Sequence, residues 1–345
     1  MSVAAGSARG PEPAGLSKAA AQGGTTALRD GAGTRAAEAG PCTGGEAGDA
    51  RLRQASGPGA RDRHDLGREQ VNGMLADLRQ TLGGLYGTED ETAVDDASRM
   101  RAARISVPVR FHVVADGRTG RLSRSSAQKQ VATLNAAYGG RKGGVNTGVS
   151  FRLAAYDVTS NARWFRQPQR SEREMKTALH RGGAGTLNLY SAQFSADGLG
   201  YSTFPQWYRK KRALDGVVID HRSVPGGSYA HFDRGYTAVH EIGHWLGLFH
   251  TFENGCDAPG DGVADTPYEA VPAEGCPKSK DTCPQPGRDP VRNFMNYGWD
   301  ACMHEFTAGQ GRRIRAAWAA YRGSRHRSGS GAGGNAAARS VGGAR

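Results

Sequence analysis

An α/β fold, α+β in its detailed arrangement, is what this 345-residue sequence predicts, and three observations predict it. Residues 105–114 alternate strictly, with Ile105, Val107, Val109, Phe111 and Val113 on one side, the period of a half-buried strand. From there to residue 220, strand-like and helix-like patterns alternate, which predicts helices packed on a sheet. After residue 250 the regular periods stop, and a Gly/Pro-rich stretch holds four of the five cysteines. The expected body is therefore an upper layer of sheet and helices followed by an irregular lower one.

The elements follow in order. Between Leu66 and Tyr86, the residues Val71, Met74, Leu75, Leu78, Leu82 and Leu85 fall at helical spacing. An acidic stretch, Glu89 to Asp96, comes next, then Arg99, Arg101 and Arg104 ahead of the first strand. Ser123 to Tyr138 reads as a helix with Val131, Leu134 and Ala137 inward, and Val149 to Tyr156 as a second strand. Glu172 to His180 reads as a helix and Thr186 to Tyr190 as a third strand. Val217, Val218 and Ile219 make Asp215 to Asp220 a buried strand. Gly235 to Leu248 is a helix, and 307–322 a last one with Thr307 as N-cap.

Composition divides the chain. Residues 1–62 and 323–345 are rich in Ala, Gly, Ser and Arg and have almost no periodic apolar pattern. Such segments cannot bury enough apolar surface to offset the entropy of ordering, and they are expected to be disordered. The expected organisation is a tail or prosegment over 1–62, a prosegment helix and linker over 63–104, a catalytic domain over 105–322, and a C-terminal tail over 323–345.

The formal net charge is +12, most of it in residues 101–322, which carry 30 basic and 19 acidic side chains. A basic body attracts acidic partners, although an arginine-rich solvated surface reads the same way. The basic residues do not cluster on a nucleic-acid motif, so no nucleic-acid partner is expected. No apolar run is long enough to span a bilayer. Cys256, Cys276, Cys283 and Cys302 lie close together with no CxxC pair, which favours two disulfides in an oxidising compartment over a second zinc site. Residues 1–20 lack the apolar region of a signal peptide, so the cysteines alone carry the expectation of secretion.

The chemistry is concentrated in residues 240–250, His-Glu-Ile-Gly-His-Trp-Leu-Gly-Leu-Phe-His. His240 and His244 are one helical turn apart on one face, so both imidazoles can reach one metal. Glu241 stands beside the first of them as the general base. Gly247 is suited to end the helix in a left-handed turn, returning His250 as a third ligand. Three protein ligands leave a fourth position open, the mark of a catalytic rather than a structural zinc. Each fixed position is about a one-in-twenty event at average usage, so the set is improbable as a chance run of core histidines.

With this motif stand Gly260-Asp261-Gly262-Val263-Ala264-Asp265-Thr266-Pro267, Asn293-Phe294-Met295-Asn296-Tyr297, and Asp300-Ala301-Cys302 leading to Phe306-Thr307. Over roughly residues 105–322 the chain resembles the metzincin zinc metalloproteases, and within them the pappalysin (cytophagalysin-type) family. The resemblance implies a metzincin-like domain with a twisted mixed sheet, Met295 as an apolar floor beneath the metal, and Tyr297 steadying the oxyanion. A phenol is apt there because it donates a hydrogen bond to a developing alkoxide; without the motif, Met295 and Tyr297 read as core and turn residues. The resemblance further implies the pairing Cys256–Cys283 and Cys276–Cys302, and structural calcium on Asp261, Asp265 and the Thr266 carbonyl, whose bland reading is a solvated acidic turn.

The resemblance places Asp300 in the segment that walls the pocket for the residue after the scissile bond, where a carboxylate would select Arg or Lys; an N-cap or surface charge is the other reading. Cys42 is a candidate latency ligand on the zinc, although Thr43 precedes Gly44 where the family has glycine directly. The expected protein is thus a secreted, monomeric zinc metalloendopeptidase, made as a latent precursor, with one catalytic Zn²⁺, structural Ca²⁺ and protein or peptide substrates. The rival is a non-catalytic, zinc-stabilised basic binding protein.

Overall fold

The computed structural model describes residues 66–100, 104–195 and 198–323. The chain divides into two compact units, 1–47 and 48–345, and all the described residues belong to the second. Cys42, residues 1–62 and residues 324–345 lie outside them.

The fold is mixed α/β. Two helices, α1 (Arg68–Tyr86) and α2 (Glu91–Met100), precede strand β1 (Ile105–Ala115). Helix α3 (Arg124–Tyr138), β2 (Val149–Ser160), α4 (Ala162–Arg166), α5 (Glu172–Leu179), β3 (Leu187–Ala192), β4 (Gly200–Tyr201) and β5 (Val217–Asp220) follow. The motif helix is α6 (Tyr236–Trp245), and α7 (Ala308–Ala317) runs into a π-helical turn, Trp318–Arg322. The sheet order is β2-β1-β3-β5-β4. The first four strands are parallel and β4 pairs antiparallel with β5, Tyr201 opposite Val218.

Parallel strands need covering on both faces, and the sequence supplies two apolar sets. Val107, Val109, Phe111 and Val113 face α3 and α6 in the main core, with Leu134, Tyr138, Val239, Ile242 and Trp245. Val114, Tyr190 and Val218 face the other way, onto Trp164 and Phe165 of α4 and Met175 of α5. Two polar ties fix α6 against α3: Gln130 donates to the Gly235 carbonyl at 2.9 Å, and the Tyr138 hydroxyl to the Val239 carbonyl at 2.9 Å.

Four elements exceed the sequence-based expectation: α4, a five-residue turn capped by the Asn161 side chain, and three others. Strand β2 runs on to Ser160 because β1 pairs with it as far as Ala115. Strand β4 has two residues, too short for a period to show. Helix α2 has one buried apolar residue among those described, Val94. It is held instead by Arg313, whose Nε donates to Glu91 at 2.7 Å, and Arg315, whose Nη2 donates to Asp95 at 2.7 Å. Thr307 caps α7 reciprocally with Gln310, as its position suggests.

Between Gly247 and Thr307 no helix or named strand forms among the described residues. Disulfides Cys256–Cys283 and Cys276–Cys302, with Cα separations of 5.4 and 5.6 Å, cross-link this lower region. No helix among the described residues is long and apolar enough to cross a membrane.

Candidate active site

The site grows from α6, all ten residues of which are buried. His240 and His244 project from one face, one turn apart. The helix ends at Leu246, and Gly247 takes φ +99°, a left-handed conformation that side chains rarely adopt. Leu248 N–H then closes back on the Gly243 carbonyl at 2.9 Å, and the chain returns to bring in His250. A Cβ at 247 would in addition press on Ala317 Cβ at 2.8 Å.

The three imidazoles converge. His244 Nε2 lies 3.2 Å from His240 Nε2 and 3.1 Å from His250 Nε2, and all three residues are at most 1% exposed. His240 Nδ1 donates to the Phe294 carbonyl at 2.7 Å and His244 Nδ1 to the Leu248 carbonyl at 2.8 Å. Those bonds set the neutral tautomer whose Nε2 lone pairs face the common centre. Lone pairs this close repel unless a cation sits among them, so the donor set fits a metal. Among the described residues it is the one group of three or more His, Cys, Asp or Glu placed to hold an ion. Three imidazole nitrogens gathered this closely suit Zn²⁺.

Glu241 is 3% exposed and lies against the outermost strand. An added Cβ on Gly200 would stand 2.9 Å from Glu241 Cγ and 3.1 Å from its Oε1. Glycine at 200 is therefore what lets β4 pass directly over the carboxylate. Met295 is fully buried beneath α6, and a Cβ on Gly243 would overlap its sulfur. The Met295 turn is itself anchored: its N–H donates to Asn293 Oδ1 at 2.9 Å, and Asn293 and Gln310 exchange side-chain hydrogen bonds at 2.9 Å. Tyr297 places its hydroxyl 3.2 Å from His250 Nε2. The lower region thus brings Met295 beneath α6 and the Tyr297 hydroxyl to His250, while His240 and His244 come from the upper one.

Gly200 and Gly243 were not among the expected site residues. A glycine inside a helix is a readable signal, since it costs about 1 kcal/mol against Ala and so implies close packing. Gly243→Ala is expected to destabilise by about 1–3 kcal/mol through overpacking against Met295. Thermal unfolding of the zinc-loaded protein checks this; an unchanged midpoint would mean that Met295 yields freely.

Other expected residues stand elsewhere. Asp300 is buried, and its Oδ2 accepts the N–H groups of Arg234 at 2.9 Å and Tyr236 at 3.3 Å, at the N-terminus of α6. It engages the start of the motif helix as a cap would. Asp265 accepts from the Thr307 hydroxyl at 2.7 Å and Gly309 N–H at 2.8 Å, at the start of α7. Asp261 Oδ1 accepts Val263 N–H at 2.9 Å and lies 3.0 Å from the Thr266 hydroxyl; burial pushes this carboxyl up to about 7. Arg313 donates to the adjacent Gly262 carbonyl at 2.6 Å.

Glu269, fully buried, joins the two loops of the site. It accepts from the Thr251 hydroxyl at 2.8 Å, beside the third ligand, and from Asn296 Nδ2 at 2.8 and 3.0 Å, beside Tyr297. Burial raises its carboxyl to about 7, with Asn296 and Thr251 opposing. A raised folded-state pKa means the native state holds a proton the unfolded state has released, so stability falls as pH rises from the ordinary carboxylate range through 7. Glu269→Gln is expected to flatten that fall, by up to about 3 kcal/mol across the window. Denaturant titrations of both proteins from pH 5 to 8 test it, and parallel curves would refute the assignment.

Comparison with known proteins agrees with this geometry. Residues 189–319 match the model of the peptidase family described as pregnancy-associated plasma protein-A. An extracellular metalloprotease of Arthroderma benhamiae is 40% identical over 248 residues, covering 69% of this chain and 82% of that protein. One from Neurospora crassa is 41% identical over 247 residues, with 68% and 82% covered. Among solved structures, mature mirolysin of Tannerella forsythia in complex with a cleaved peptide aligns with a TM-score of 0.56 and 28% identity, over 62% of this chain and 91% of that one. A promirolysin variant from the same organism aligns with a TM-score of 0.56 and 25% identity, over 71% and 91%. With three convergent imidazoles that could hold a metal ion, two on α6 and one just beyond it, in a mixed α/β domain, and relatives matched over most of their length, this chain belongs to the pregnancy-associated plasma protein-A, or pappalysin, family of metalloendopeptidases.

Proposed function

We propose that the protein is a secreted endopeptidase, made as a latent precursor, that hydrolyses peptide bonds with Glu241 as general base and then general acid. The convergence of the three imidazoles, with His244 Nε2 within 3.2 Å of both His240 Nε2 and His250 Nε2, carries this reading. Zinc, held by these three nitrogens, would supply Lewis acidity and lower the pKa of the attacking water. Glu241 takes the proton from the attacking water and hands it to the departing amine. Strand β4, the outermost of the sheet, orients an extended substrate alongside Glu241 through main-chain hydrogen bonds. The Tyr297 hydroxyl donates to the oxygen on which negative charge develops. Met295 and the buried apolar wall keep the ligands in one rotamer, so the site is rigid when substrate arrives.

Secretion is supported by the extracellular naming of the relatives and by the two disulfides. Latency through Cys42 rests on the chemistry of a thiolate toward zinc. A preference for Arg or Lys after the scissile bond rests on Asp300; its engagement at the start of α6 makes a role in holding the helix the competing one. Calcium on Asp261, Asp265 and the Thr266 carbonyl would have to share carboxylates that already accept protein donors, and it enters as an outcome to be measured.

The test is cleavage of casein and of a mixed peptide library by the purified protein. Cleavage that o-phenanthroline abolishes and stoichiometric Zn²⁺ restores is expected, and the cleaved bonds report the side-chain preference. Calcium-selective chelation that leaves melting unchanged would remove calcium. Retention on heparin without any proteolysis would favour the rival, a zinc-stabilised basic binding protein.

A further inference from the structure

Helices α1 and α2 precede the region that the sequence assigns to the catalytic domain, yet they are built into it. Val71, Met74, Leu75, Leu78, Leu82 and Val94 are all at most 9% exposed. Their partners are body residues: Phe204 and Phe249 for the first turns of α1, and Ala316, Ala317 and Ala320 for the later ones. The fit is close, since a Cβ on Gly262 would meet Leu75 Cδ2 at 2.8 Å. Polar contacts close the seam. Tyr321 donates to Asp77 at 2.7 Å, and Arg313 and Arg315 meet Glu91 and Asp95. Arg313 is only 5% exposed, so removing α2 would take away the carboxylate of a buried cation.

This seam reaches the metal ligands. The Phe204 ring packs on Val71, Met74 and Leu75 on one side and lies 5.3 Å from the His244 ring. Phe204 and Phe249 are 5.4 Å apart, and Phe249 directly precedes His250. The hairpin therefore backs the aromatic pair that packs on the His244 ring and leads directly into His250.

We infer that the α1–α2 hairpin is a permanent part of the active enzyme, a strut behind His244 and His250. Given the latent-precursor reading above, the activating cut falls N-terminal to Arg68 and not after Arg99, Arg101 or Arg104. A cut between α2 and β1 leaves the hairpin bound as a second chain, because an interdigitated apolar seam rimmed by part-buried ion pairs behaves as a core cut in half. Phe204 is a positioning residue in this scheme, and Leu75 and Leu78 act through it and through α7.

Two measurements decide this. Intact mass and N-terminal sequencing of the active enzyme should show a chain beginning at or before Arg68; an enzyme active without processing also retains the hairpin, which removes latency and leaves the strut standing. An active, zinc-replete form that starts after Met100 and lacks the hairpin peptide overturns the inference. In the second, a recognition site for an unrelated protease replaces residues 101–103 in the Glu241→Gln full-length chain, which cannot cut itself. After cleavage the hairpin peptide should co-elute one-to-one with the body, and the visible spectrum of the cobalt-substituted protein should be unchanged. Leu78→Asp, or Leu78→Ala should the aspartate variant not fold, is expected to raise the released fraction at least tenfold and to alter the cobalt spectrum, with Leu78→Met restoring both. A peptide that separates while zinc content and spectrum stay intact shows that the hairpin is dispensable.

Discussion

Replacing Glu241 with Gln is expected to leave one zinc per chain and to lower kcat/KM by about 10²–10⁴-fold, the usual worth of a positioned general acid–base. The substitution keeps volume and shape, which matters because Gly200 leaves little room above the side chain. The ligand geometry should survive: the tautomers of His240 and His244 are set by the Phe294 and Leu248 carbonyls, and Glu241 takes no part in those bonds. Only the group that accepts and returns a proton is lost. The informative comparison is metal content by elemental analysis beside single-turnover cleavage of one peptide. Full activity in the variant would remove Glu241 from the proton path. Loss of zinc would turn a catalytic reading into a structural one.

The second large effect is predicted far from the reacting atoms. Arg322, in the π-helical turn after α7, and Asp215, ahead of β5, form an ion pair with 0% and 1% side-chain exposure. Arg322 Nη1 and Nη2 each lie 3.1 Å from a carboxylate oxygen, Nε donates to the Trp245 carbonyl at 2.8 Å, and the guanidinium stacks 3.6 Å from the Trp245 ring. Asp215 also accepts from Trp245 Nε1 at 2.9 Å and from the Thr203 hydroxyl at 2.9 Å. Trp245 directly follows the second ligand, so this cluster pins the C-terminal end of the motif helix to the sheet. Burial pulls the Arg322 pKa down and Asp215 pulls it up, with a lowered net value.

Truncating one partner strands the other's charge in the interior. Arg322→Ala is therefore expected to cost about 3–5 kcal/mol. For a domain of this size that is a fall in Tm of roughly 10 °C. A double-mutant cycle with Asp215→Asn should show strong non-additivity, because the second change relieves the charge stranded by the first. Additive single effects would mean that the pair is solvated and the cluster is only packing.

The expectations drawn from residue order succeed or fail for local reasons. Strand β1 and helices α1, α3 and α6 are legible because each carries its own period, and Thr307 because a capping box is a four-residue pattern. Helix α2 and strand β4 are not, since one is held by arginines of α7 and the other by two residues of pairing. The three convergent histidines were readable because a helix and one left-handed glycine place them within eleven residues. Glu269, Arg322 and Asp215 were not, because their partners lie far along the chain.

Residue order alone therefore determined the chemistry: three imidazoles, a carboxylate and a glycine at spacings that helix geometry converts into one metal site, which makes this chain a metalloendopeptidase. Tertiary structure decided what surrounds them. It placed Gly200 over Glu241, Met295 under Gly243, Asp300 at the start of α6, and α1 behind Phe204. Short-range order specifies contacts that one turn of helix can make, whereas contacts between distant segments exist only once burial of the whole core has brought those segments together.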